Sequence, residues 1–159
     1  MAKKALLLLG CPELPVQNSI AAYLASLLKD AGLSVFVAGT DAALRLLEVS
    51  DTKGYYIGTE SMIELDKCIE YLAEKRVDYD FCFVFVYNEQ GLSYLTTIRS
   101  ISNAKLFAII FGTDSESLAG EIDFECEKLV SRAVHNPMPL VEMIEDTVIK
   151  GVKRWAVSN

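Results

Sequence analysis

The chain has 159 residues, 52% of them hydrophobic and 23% charged, which fits one compact domain with a sizeable core and excludes disorder. Its 22 acidic against 15 basic residues give a formal charge of −7, so most of the surface repels phosphate backbones and anionic lipid, and neither nucleic acid nor a membrane is an expected partner. The longest apolar stretch, Phe81 to Tyr87, falls far short of the ~20 residues that span a bilayer, and no signal peptide precedes the first strand-like segment, so a cytosolic protein is expected.

Ala5 to Leu9 is a continuous aliphatic run ending in Gly10-Cys11-Pro12, the pattern of a strand covered on both faces. From Val16, apolar residues recur at Ile20, Tyr23, Leu24, Leu27, Leu28 and Ala31 with helical spacing, between Pro15 and the terminator Gly32. Val35 to Val37 reads as a second strand closed by Gly39-Thr40-Asp41, and Ala42 to Val49 as a brief helix. Asp51 to Thr59 stays open between a loop and a small edge strand. Ser61 with Glu64 three residues later is a capping-box pattern, predicting a helix with Met62, Leu65, Cys68, Ile69 and Leu72 on one face. Phe81 to Tyr87 is β-type, Asn88 to Ile101 a helix opened by an Asn cap, and Leu106 to Phe111 a buried strand ended by Gly112-Thr113-Asp114.

Ser115 to Glu127 is acidic and poorly periodic, and a last β-like segment from about Lys128 to Val134 ends in His135-Asn136-Pro137-Met138-Pro139. The final helix is expected to bury Leu140, Val141, Ile144, Val148, Val152 and Trp155, with acids near its start and Lys150, Lys153 and Arg154 near its end, as the helix dipole favours. Strands alternating with helices predict a single α/β domain over residues 1–159. The expected architecture is a three-layer α/β/α sandwich around a mainly parallel sheet of about five strands, Rossmann-like or flavodoxin-like, with right-handed crossovers.

In such sheets ligands bind beyond the carboxyl ends of the strands, which reduces the site search to the loops at Gly10–Val16, Gly39–Asp41, Tyr87–Gly91, Gly112–Ser115 and His135–Pro139. A dinucleotide fingerprint needs three spaced glycines after the first strand, but only Gly10 is present, and Pro12 and Pro15 remove amide donors. No Gly-Lys-Ser/Thr of a nucleotide loop and no Ser/Thr-rich flavin loop occurs there. A phosphorylatable receiver needs acids, an aspartate and a lysine where Cys11, Asn88 and His135 stand, and a cysteine phosphatase needs arginine where Gln17 stands.

Cys11 remains, because a thiol beside a helix start can act as a nucleophile or sulfur carrier. Against it stand the like charge of Glu13 and the general preference of free cysteines for the interior. Cys68 and Cys82 read as core and Cys126 as structural; with no Cys-x-x-Cys pair and one histidine, no metal site is expected and all four thiols are expected free. His135, the one group titrating near neutrality by type, falls on the same edge as Cys11. In strand order 2-1-3-4-5 the two loops stand about 14 Å apart, and in order 3-2-1-4-5 about 10 Å, so they meet only if a loop folds over. Thr40, Asn88 and Thr113 are explained as helix caps and Asn136 as a turn residue; their convergence, with the amide-reading Asn88 and Gln90, is what points to a site.

The segments Gly10-Cys11-Pro12-Glu13-Leu14-Pro15-Val16-Gln17, Ala42-Ala43-Leu44-Arg45-Leu46-Leu47-Glu48, Tyr87-Asn88-Glu89-Gln90-Gly91 and Ala133-Val134-His135-Asn136-Pro137-Met138-Pro139 resemble a family of small proteins from methanogenic archaea described as a domain of unknown function. The resemblance runs nearly end to end and implies a three-layer α/β/α fold in an archaeal cytosolic protein, with no reaction or catalytic residue to transfer. More faintly, the opening Lys-Lys-Ala-Leu-Leu-Leu-Leu, a proline-containing loop and a long helix look like the sulfur-relay proteins.

The leading expectation is a domain binding a small polar or anionic metabolite or cofactor, unspecified by the sequence, through Gly10, Cys11, Thr40, Asn88, Gln90, Gly112, Thr113, His135 and Asn136. The first alternative is a thiol-dependent enzyme or sulfur carrier with Cys11 as nucleophile and His135 or water as proton acceptor. The second is a non-catalytic assembly subunit. A homodimer is expected from the prevalence of two-fold oligomers.

Overall fold

The computed structural model describes residues 1–157, without the side chains of Lys153, Trp155, Ala156 and Val157. Six strands form one sheet: β1 (Lys4–Leu9), β2 (Ser34–Gly39), β3 (Met62–Glu64), β4 (Phe81–Val86), β5 (Lys105–Ile110) and β6 (Glu127–Val130). The spatial order is β3-β2-β1-β4-β5-β6, and every pairing is parallel. The helices are α1 (Val16–Asp30), α2 (Asp41–Ser50), α3 (Leu65–Ala73), α4 (Glu89–Ile101), α5 (Ser115–Gly120) and α6 (Met138–Met143). The last continues through a π-helical turn (Ile144–Ile149) into α7 (Lys150–Val157).

Strand alternation divides the core into two. On β1, Ala5, Leu7 and Leu9 face one side and Leu6 and Leu8 the other; β4 sends Phe81, Phe83 and Phe85 to the first side and Cys82, Val84 and Val86 to the second. The first face is covered by α1, α2 and the C-terminal helix, the second by α3, α4 and α5. The three-layer prediction therefore holds, and the order of the five predicted strands is the 2-1-3-4-5 alternative, with β3 added outside β2.

The added strand corrects the sequence reading of Met62–Glu64 as helix. Met62 and Ile63 pair with Val37 and Ala38 along the edge of β2, and the helix starts only at Leu65. Glu64 caps it, its carboxylate accepting from Asp66 N (3.1 Å) and Lys67 N (3.3 Å) in place of the Ser61–Glu64 box. Asp51–Thr59, left open, is a loop of turns. Part of the acidic stretch forms the short α5, whose Ser115 and Leu118 are buried. The last strand stops at Val130 instead of Val134 because the chain turns over the sheet: Ala133 O accepts from Gly112 N (2.9 Å) and Val134 O from Val16 N (3.1 Å). In the C-terminal helix Leu140, Ile144, Val148 and Val152 are buried as predicted and Val141 half-buried; Trp155 lies outside the described side chains.

Candidate functional site

Since all strands run the same way, the loops after β1, β2, β4, β5 and β6 share one rim. Connections from β1 lead outward to β2 and β3, and the chain then crosses back to β4, so strand order reverses between β1 and β4, the position at which such sheets bind ligands. Gly10, Cys11, Tyr87, Asn88, Gln90, Gly91 and Tyr94 line a crevice there, floored by Phe85. Of the predicted residues, the structure brings Gly10, Cys11, Asn88 and Gln90 together in this crevice and leaves Thr40, Gly112, Thr113, His135 and Asn136 outside its lining.

The crevice is nearly shut. Its volume is about 10 Å³, room for about one water, because the Tyr87 hydroxyl donates across it to the Cys11 carbonyl at 2.8 Å. Partial burial, with the nearby Glu13 and Cys11, pushes the Tyr87 phenol up to about 12, so it stays a protonated donor at neutral pH. Asn88 Oδ1 accepts from Gly91 N (3.0 Å) and caps α4, and Gln90 is exposed, its Nε2 reaching the Tyr94 hydroxyl at 3.4 Å. Gly91 is required by close packing: a Cβ there would stand 3.0 Å from Val86 Cα.

Below the β1 loop lies a residue that the sequence reading passes over. Gln17 is buried on the apolar face of α1; its Nε2 donates to Gly10 O at 2.9 Å and its Oε1 has no protein partner. A polar residue in register with Val16, Ile20, Ala21 and Leu24 on a core stripe is the signal that marks it. A second buried orphan, Ser115 Oγ, sits at the start of α5.

Cys11 is exposed, whereas Cys68 and Cys82 are buried and Cys126 is half-buried; all four are free. Burial pushes the Cys68 thiol up to about 11 and raises Cys82 further still. The first amides of α1 are taken, Val16 N by Val134 O and Gln17 N by Leu14 O (3.2 Å), so neither is free to donate at Cys11. The Val134 bond also shows that the last loop does fold over toward α1. Among the described residues no hydrogen bond joins Cys11 to the exposed His135.

The remaining candidates have local duties. Thr40 Oγ1 accepts from Ala43 N (3.3 Å) as the cap of α2, and Asn136 Oδ1 accepts from Met138 N (3.1 Å) at the entry to α6. Gly112 has φ +93°, and a Cβ there would meet Leu14 Cδ1 at 2.9 Å, so it lets the β5 loop close on the β1 loop; Thr113 beside it is exposed. A roomier cleft, of about 610 Å³, lies at the amino ends of β5 and β6 between Arg99, Lys105, Phe124, Cys126 and Lys128, away from this rim. Among the described residues no cluster of three or more His, Cys, Asp or Glu side chains could hold a metal, and no helix is long and apolar enough to cross a membrane.

Comparison with known proteins adds family and fold. The chain is 32% identical over 143 residues to the uncharacterized protein MJ0452 of Methanocaldococcus jannaschii, covering 89% of this chain and 94% of the relative. The solved structure of MT0777 is similar with a TM-score of 0.82 and 43% identity, covering 89% of this chain and 94% of that one. The sulfur-relay likeness gains nothing from the structure: the loop after the central strand, where those proteins carry their reactive cysteine, holds Tyr87 and Asn88. A family model matches residues 6–147, and the chain belongs to the family described as a domain of unknown function, DUF1890.

Proposed function

We propose that the chain is a cytosolic binding domain for a small polar or anionic metabolite or cofactor, taken up at the crevice between β1 and β4. The observation that carries this reading is the convergence of Gly10, Cys11, Asn88 and Gln90 at the point of strand reversal. Beside it the buried Gln17 carboxamide holds the Gly10 carbonyl and keeps one hydrogen-bonding atom unspent. Asn88 and Gln90 supply donors and acceptors at the mouth, and the Tyr87 phenol is a bar that a ligand displaces to enter. His135 and Thr113, on neighbouring rim loops, contact the outer part of a larger ligand. Unpaired cysteines accord with a reducing compartment.

Thermal-shift measurements against nucleotides, dinucleotides and sugar phosphates test the reading. A ligand of this crevice raises Tm, and Gln90→Ala, at an exposed position, removes the rise while leaving the unliganded Tm unchanged. Absence of any shift, or a shift that Gln90→Ala and Tyr87→Phe both leave intact, rejects the site.

The exposure of Cys11 favours one second reading, a thiol-dependent enzyme or sulfur carrier. Its test is iodoacetamide labelling of the native chain across pH 6 to 9: alkylation of Cys11 well ahead of a model thiol supports it, and parity or slower labelling rejects it.

A further inference from the structure

Four of the six large hydrophobic side chains that the described residues expose fall in α2 and the loop directly after it: Leu46 (40% exposed), Val49 (73%), Tyr55 (73%) and Tyr56 (44%). Leu46 and Val49 are three apart and share the outer side of α2. The tyrosines follow in the loop that Asp51 organises, its carboxylate accepting from Tyr55 N (2.8 Å), Tyr56 N (2.9 Å) and Ile57 N (3.0 Å) while Ile57 anchors in the core. Lys29 reaches the Tyr55 carbonyl from α1 at 3.5 Å. The aromatic pair is thus held out by a fixed scaffold, so little loop entropy is lost when something covers it.

We infer that this face, formed by the outer side of α2 and the Tyr55–Tyr56 loop, is the two-fold interface of a homodimer. Area and charge single out a second copy as the occupant. With fully exposed aromatic side chains presenting about 150–250 Å² each, the four residues offer on the order of 400 Å² of apolar surface. That is about half of the ~800 Å² per partner that a stable interface buries, the usual apolar share of its area.

The rim supplies the rest in nearly balanced signs. Lys29, Arg45 and Lys53 stand with Asp41, Glu48, Asp51 and Glu60, where the whole chain carries −7. Arg45 already pairs with Asp41 and Glu48, and Asp51 is taken by the loop amides, which leaves Lys29, Lys53 and Glu60. A nearly neutral rim adds little repulsion between two copies of a chain that carries −7, and a two-fold axis can set Lys53 of each copy against Glu60 of the other. A groove of about 450 Å³ between Glu48, Lys53, Gly54 and Glu60 can admit side chains of the second copy. The loop leads through a short turn at Thr59–Ser61 into β3, the edge strand of the sheet.

Sedimentation velocity of the full chain from micromolar to several hundred micromolar tests the assignment. The wild type is expected to show a reversible dimer. Val49→Asp with Tyr55→Asp should raise the dissociation constant at least about tenfold, as loss of central apolar anchors does, with unchanged circular dichroism. Tyr55→Ala, which removes only an exposed ring, serves if the double variant folds poorly and should weaken the dimer in the same direction. Met138→Asp, at an exposed apolar position outside this face, should leave the dimer intact. A wild type that stays monomeric overturns the inference and leaves the face to a different protein; so does a dimer indifferent to Tyr55 or broken by Met138→Asp.

Discussion

Asp51 and Asp78 do at two turns what main-chain ladders do elsewhere in this fold. Asp78 accepts from Tyr79 N, Ser102 Oγ and Asn103 N, tying the entry of β4 to the turn before β5. At Asp51, partial burial works toward the neutral acid, but the N–H donors of Ile57, Tyr56 and Tyr55 and the charge of Lys29 outweigh it, so the folded carboxyl lies below its ordinary value. The unfolded state then binds the proton more readily, and the stabilisation is complete above the unfolded value of about 3.9 and lost as pH falls through the lower, folded one. Asp51→Ala should therefore cost about 1 kcal/mol at pH 7 once solvent screening is allowed for. Its Tm should lie about 2–4 °C below wild type at pH 7 and converge on it toward pH 2, which a pH series of thermal melts checks. The sequence does not disclose this role: an Asp before Gly and two tyrosines reads as a turn former, and which amides it collects depends on Ile57 finding the core. Gln17 and Tyr87 are hidden for the same reason, since their partners are carbonyls of a loop whose path the residue types do not fix.

At the level of elements, long patterned segments are legible and short ones are not. Phe81, Phe83 and Phe85 alternate with Cys82, Val84 and Val86, and both sets are buried, so β4 announces itself as a strand covered on both faces. The three-residue β3 carries no period to read, and its pairing is set by the neighbouring β2 edge. Capping is ambiguous in a similar way, because Ser61 and Glu64 satisfy a box pattern while the structure uses Glu64 alone, one turn later. The aromatic stripe on the first face has the larger energetic consequence. Phe83 stacks on Phe107 with ring centroids 4.5 Å apart, and Phe85 meets Phe111 edge-on at 6.4 Å. Phe83→Ala should cost about 3–5 kcal/mol through lost burial and the cavity left behind. Urea unfolding should show a lower midpoint with an unchanged slope, the slope being set by the surface exposed on unfolding. A loss below about 1 kcal/mol would mean that the two faces do not share the core as the alternation requires.

For the whole molecule, alternation of strand and helix discloses parallel direction, because each crossover must return to the same end of the sheet. It does not disclose on which side the next strand lands, and so it leaves the site between two geometries. What decides it is the return of the chain from β3 to β4 across β2 and β1, which creates the crevice at Gly10 and Asn88. The C-terminal helix then completes the first face. Leu140, Ile144, Val148, Ile149 and Val152 are buried in the same cluster as Phe83 and Phe107, and the Tyr23 hydroxyl on α1 donates to Glu145 across the junction. At about 1.5–3 kcal/mol for each buried aliphatic side chain, these five contribute on the order of 10 kcal/mol, as much as the entire margin of a typical domain. A chain truncated after Asn136 should therefore lose cooperative folding, even though all six strands and every candidate site residue remain in it. Near-UV circular dichroism should collapse and a hydrophobic dye should bind at 25 °C, while far-UV signal persists. A sharp thermal transition in the truncated chain would instead show that α1 and α2 alone cover the aromatic stripe, and that the helix belongs to the rim's architecture and not to the core.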